Sequence, residues 1–130
     1  MINEIKKNGK IIDELVTFFL KKKYHQLKMD LNYSQEKTII TIFLGKLTDR
    51  EFDLIKECFS QKRDRAMEEY GWVLMGESEV SSELNLVGMC VDEFRMERIE
   101  EDFVMIELTR YHRIITDKEF DFWHIKSYNN

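Results

Sequence analysis

Proline is absent from this sequence, and with it the stiff proline-rich linkers that separate modules in multidomain chains. Cysteine is nearly absent too. Cys58 and Cys90 show no CxxC or Cys/His ligand spacing, so they are expected to be buried, reduced thiols in a cytoplasmic protein. No apolar run approaches the roughly 20 residues that span a bilayer. The longest near the start, Leu15 to Leu20, is far shorter, and MINEIKKNGK lacks the apolar region of a secretory signal, so no membrane association is expected. Positive charge is in deficit: 20 Lys and Arg stand against 25 Asp and Glu, for a net charge of −5. That balance argues against nonspecific nucleic-acid binding, which depends on cations neutralising phosphates. The densest basic cluster, Lys21-Lys22-Lys23, closes an apolar-periodic segment, where cations favourably meet the negative end of a helix dipole.

What is present suits one globular domain. A hydrophobic content of 43% within 130 residues, with 7 Met and 9 Phe, is enough for a single core of large, adaptable side chains. Ile12, Leu15, Val16, Phe19 and Leu20 recur at helical spacing and predict a helix over 11–24. Leu27, Met29, Leu31 and Tyr33 alternate with polar residues, which predicts a strand with one wet face. After a turn at 34–37, TIITIFL (38–44) is nearly continuously apolar, as for a strand covered on both faces. The two form a hairpin. Gly45-Lys46-Leu47 breaks the second strand, and Thr48 to Glu51 has the spacing of a capping box, so a second helix starts there and buries Phe52, Ile55 and Phe59.

Ser60 is expected to recap a helical piece carrying Ala66, Met67, Tyr70 and Leu74, ended by Gly76, with 77–82 as a loop. Leu84, Val87, Val91 and Phe94 then follow helical spacing, whereas 94–97 and 104–108 alternate about a turn near 100–102, a second hairpin. A further Thr116 to Glu119 capping box opens a short aromatic helix with Phe120, Phe122 and Trp123. The expected fold class is α+β: a two-layer sandwich whose mixed or antiparallel sheet comes from the two hairpins, with helices on one face. Residues 1–115 form the domain and 116–130 an aromatic helix and tail.

The order helix, hairpin, helix, loop, helix, hairpin resembles the histidine-kinase-type ATPase (GHKL) fold, and within it the anti-sigma-factor and sensor-kinase branch. ITIFLGKLTDREFDLIKECF is similar to that family's hairpin end, glycine turn and following helix. LNLVGMCVDEF resembles its G-x-G helix, and FRMERIEEDFVMIELTRY its closing hairpin. The resemblance covers residues 10–112. It implies a nucleotide site, and there this chain departs from the family. With His25 as the last member of the E-x-x-x-N-x-x-x-H box, Thr17 stands at the acid and Lys21 at the magnesium-binding asparagine. The D-x-G-x-G turn falls on Phe43, Gly45 and Leu47, and the G-x-G pair on Glu83 and Asn85. A protonated lysine cannot ligate magnesium, threonine is no general base near neutral pH, and a carboxylate at 83 repels phosphate.

The resemblance therefore implies a degenerate domain without cofactor or catalysis, a pseudoenzyme acting by protein contact in bacterial signalling. Two alternatives stand beside it: a divergent, active ATP-dependent sensor or anti-sigma-type kinase, using ATP and magnesium, and an unrelated α+β domain that binds a small ligand or dimerises. His25, His112 and His124 have no nucleophile or carboxylate at telling spacing and are expected at strand ends or on the surface. The acidic run 97–102 lacks calcium-loop spacing and is expected as a solvated turn. No metal site is expected. Phe120, Phe122 and Trp123 are the candidates for docking on the domain's own sheet, on a second copy or on a protein partner.

Overall fold

The structure, a computed structural model, describes residues 4–24, 26–66, 68, 80–100 and 103–112. The elements are α1 (Glu4–Lys21), β1 (Leu27–Tyr33), β2 (Lys37–Gly45), α2 (Asp49–Phe59), α3 (Val80–Gly88), β3 (Glu93–Arg98) and β4 (Phe103–Tyr111). The class is α+β. Two hairpins join through β2 and β4 into one fully antiparallel sheet of order β1-β2-β4-β3.

Register explains the core. The pairings Ile40↔Leu108, Ile42↔Ile106 and Leu44↔Val104 place six buried aliphatics of the central strands on one face. Ile11, Leu15 and Phe19 of α1, Ile55 and Phe59 of α2, and Leu84 and Val87 of α3 join them in a single buried cluster. The three helices therefore share one side of the sheet. On each edge strand the inward residues, such as Leu27 and Met29 or Phe94 and Met96, pack partly buried at its margin.

α1 is longer at its start and shorter at its end than its periodicity predicts, because Lys7 and Asn8 are buried although polar. It ends in a Schellman motif. Lys23 takes a left-handed conformation (φ 63°), its N–H reaches the Leu20 carbonyl at 3.0 Å, and the Tyr24 N–H reaches that of Phe19 at 3.4 Å. The hydrophobic contact that accompanies the motif is present, with the Tyr24 and Phe19 rings 5.9 Å apart. α2 starts as predicted. The Thr48 hydroxyl oxygen accepts from the Glu51 N–H at 3.2 Å and Glu51 Oε1 accepts from the Thr48 N–H at 3.1 Å. The Ser60 hydroxyl, expected to open a new helix, instead donates back to the Lys56 carbonyl at 2.7 Å and closes α2.

The segment around Leu84 corrects two expectations. The helix already begins at Val80, inside the stretch expected as loop, and stops at Gly88 rather than running to Phe94. Gly88 is the reason for the stop: a Cβ there would run into the Cys58 carbonyl, so α3 can approach α2 this closely only at glycine. Cys90 and Val91 are buried in the turn that follows, not on a helix. The expected piece carrying Met67, Tyr70 and Leu74, the end at Gly76 and the tail helix from Thr116 lie outside the described residues.

Candidate functional site

The helix layer is closed at one end and open at the other. α3 packs against both α1 and α2, but beyond Asn85 nothing described fills the space between them. A cleft of about 370 Å³ remains. Phe18 and Lys22, one turn apart on α1, form one wall with Tyr24. α2 supplies Glu51, Leu54, Ile55, Glu57 and Cys58, and Asn85 of α3 closes the inner end.

The polar groups at its mouth are set by the two helix caps. The Schellman turn swings Tyr24 toward α2, where its hydroxyl donates to Glu51 Oε2 at 2.5 Å. Glu51 Oε1 is occupied by the Thr48 N–H and hydroxyl at 3.1 and 2.8 Å. The Tyr24 hydrogen bond holds the Glu51 carboxyl below its ordinary range, helped by Thr48 and opposed by burial. Burial, with Glu51 adding to it, keeps the Tyr24 hydroxyl protonated. Burial and the neighbouring Glu57 carboxylate push the Cys58 thiol up, so it is a poor nucleophile near neutral pH. Lys22 rests over the Phe18 ring, 5.9 Å from its centre.

Of the seven family-derived positions, Asn85 alone lines this cleft. Thr17 is half-buried and Lys21 exposed, but the helical register turns Phe18 and Lys22 toward the cleft. Phe43 lies on the opposite side of the sheet, against Lys28 of β1, 5.8 Å from that ammonium. Gly45 is buried at the end of β2, where a Cβ would meet Gln26 Oε1 at 2.8 Å, and the left-handed residue of that turn is Lys46 (φ 57°). Glu83 belongs to α3, but its side chain, like all of His25, lies outside the described residues. Phe120, Phe122, Trp123 and His124 do too. His112 is at a strand end as expected but is buried: Thr38 Oγ1 lies 2.6 Å from its Nε2, and its Nδ1 lies 2.9 Å from the Gln35 carbonyl. A carbonyl can only accept, so Nδ1 carries the proton and Nε2 accepts from the threonine when the ring is neutral.

The lining does not fit a magnesium nucleotide. Glu51 and Glu57 outnumber Lys22, and among the described residues no three His, Cys, Asp or Glu side chains are grouped to hold a metal ion. A polyphosphate would meet net negative charge there.

A second cluster, at the closed end, escaped the sequence. Arg110 and Glu68 are each about 1% exposed and form a direct ion pair between Nη2 and Oε1. Arg110 also binds Glu4 of α1 at 2.9 Å and the Cys90 carbonyl at 2.7 Å. Arg63 clamps Glu68 at 3.1 Å and both Asp92 and the Tyr111 carbonyl at 2.6 Å. Lys7 adds a cation 3.5 Å from Glu68. Burial raises the Glu68 pKa, but Arg110 and then Arg63 outweigh it and hold the carboxyl below its ordinary range. With donors and acceptors so matched, this knot is a structural tie between α1, β4 and the segment after α2. Its one sequence signal is register: Arg110 continues the inward series Val104, Ile106, Leu108, where a cation needs a buried partner.

Among the described residues no helix is long and apolar enough to cross a membrane. No family model, no curated protein and no solved structure matches the chain.

Proposed function

We propose that this chain is a non-catalytic regulatory module, built on the layout of a histidine-kinase-type ATPase domain and acting by protein contact in bacterial signalling. Two features support the layout: the element order, and the packing of α3 beside α1 over a sheet made from both hairpins. The observation that carries the loss of activity is the cleft lining. Where the resemblance implies phosphates and magnesium, the cleft presents Glu51, Glu57, a protonated Tyr24 and the apolar side chains Phe18 and Ile55. Calorimetric titration of magnesium ATP tests the proposal, with no heat of binding expected. A dissociation constant in the micromolar range, about −8 kcal/mol, would remove it.

The cleft itself favours a second reading, a small-ligand module, since its volume falls within the range of small-molecule pockets. Such a ligand would be apolar and neutral or cationic. The Leu54→Glu variant separates the two readings: it abolishes ligand binding in the cleft and leaves a partner that docks elsewhere unaffected.

A further inference from the structure

The outer face of the sheet, away from the helices, is not the polar surface expected of an open two-layer sandwich. The two edge strands obey the rule, with Lys28, Asp30 and Asn32 on β1 and Glu93, Arg95 and Glu97 on β3 pointing outward. The two central strands break it. Ile39 and Phe43 of β2 and Met105 of β4 share that face with Thr41 and Thr109, and Glu107, paired with Arg95 at 3.6 Å, is the acidic exception. Met105 and Thr109 are each only 7% exposed, although the described helices all lie on the other side. An apolar stripe between two charged margins is the surface of a sheet that something covers.

We propose that the chain's own C-terminal segment, residues 113–130, folds back over this stripe and seats Phe120, Phe122 and Trp123 on Phe43 and Met105. The segment leaves from β4 itself, directly after His112. Met105 lies six residues before Tyr111, so the stripe's far end is about 20 Å back along the strand at ~3.3 Å per residue. The aromatic residues follow His112 by eight to eleven positions, a reach of about 26–36 Å if extended and about 12–17 Å if helical. A short turn followed by the helix that Thr116 to Glu119 would cap spans the required distance. One helix, about 10 Å across, matches the width of two strands spaced by about 4.8 Å. The sequence also fits: Ile114, Ile115, Phe120, Phe122, Trp123 and Ile125 give the segment enough apolar surface to lie on the stripe.

The test uses the full chain with Phe120, Phe122 and Trp123 replaced by alanine, changes that leave the helix-side core intact. Amide and methyl resonances of Ile39, Phe43 and Met105 are expected to shift, while those of Ile40, Ile106 and Leu108 hold, at every protein concentration. In a Trp72→Phe background, which leaves Trp123 as the one remaining indole of two, Phe43→Lys is expected to move Trp123 emission to the red. Outer-face resonances that do not respond to the alanine variant overturn the proposal. So do shifts that vanish on dilution together with a dimer mass in light scattering, which would assign the stripe to a second copy. Should Phe43→Lys unfold the domain, the alanine variant decides alone.

Discussion

The two ends of the helix layer hold similar chemistry in opposite circumstances. At the closed end Glu68 is surrounded by Arg110, Arg63 and Lys7, almost without solvent contact, and at the open end Glu51 is held by Tyr24 and Thr48 at the mouth of a cleft. Both carboxyls are held below their ordinary range, by guanidinium groups in one case and by a phenol in the other. A displaced pKa by itself therefore does not mark a site in this protein. Space beside the group does, and only the open end has it.

The cysteines give this contrast its largest expected effect. Cys58 lines the cleft, whereas Cys90 is fully buried beside the ionic knot, its thiol pushed up to about 12 chiefly by burial. Under native conditions a thiol reagent followed by mass spectrometry should modify Cys58 about 10³-fold faster or more, since Cys90 must wait for an opening that costs several kcal/mol. Comparable rates would mean the closed end is not closed.

Arg110→Met should cost about 3–5 kcal/mol in a denaturant titration, because it strands Glu68 in a site without water. In that variant Glu68→Leu should recover much of the loss, which a direct role for Arg110 in folding would not allow. The same pair sets the acid behaviour. Glu68 has a folded pKa below its unfolded value of about 4.3, so its stabilisation is fully present above that pH and is lost as pH falls through the folded pKa. The wild type should therefore lose stability more steeply below about pH 4 than the Arg110→Met, Glu68→Leu double variant.

At the open end the effects are smaller. Thr48→Ala removes a cap and one of the two holds on Glu51, and should cost about 1 kcal/mol. Smallest, and of opposite sign, is Lys23→Gly: relieving a left-handed lysine in the Schellman turn should add about 0.5–1 kcal/mol. A Lys23→Gly protein less stable than the parent would show that the lysine side chain itself holds Tyr24 in place.

Much of the fold was legible because it follows from local patterns. The alternation in both hairpins, the apolar face of α1 and the Thr48 capping box each announce an element whatever surrounds it. The site was not legible, since it depends on how elements are turned against each other. A rotation of α1 by one residue, about 100°, separates Thr17 and Lys21 from Phe18 and Lys22, and the periodicity of apolar residues does not fix it that finely. Lys7, Asn8 and Arg110 read as polar surface because their burial is justified by partners far away in sequence. Gly88 looked like one weak point within a longer helix; only the backbone of α2 lying against it shows why the helix stops there.

The central claim is that the cleft has no affinity for a magnesium nucleotide. Amide chemical shifts during a titration with magnesium ATP test it most directly, with Lys22, Cys58 and Asn85 reporting from the three helix-side walls. The predicted result is no saturable movement of those three resonances up to millimolar nucleotide. Saturating shifts confined to them, with magnesium required, would contradict it.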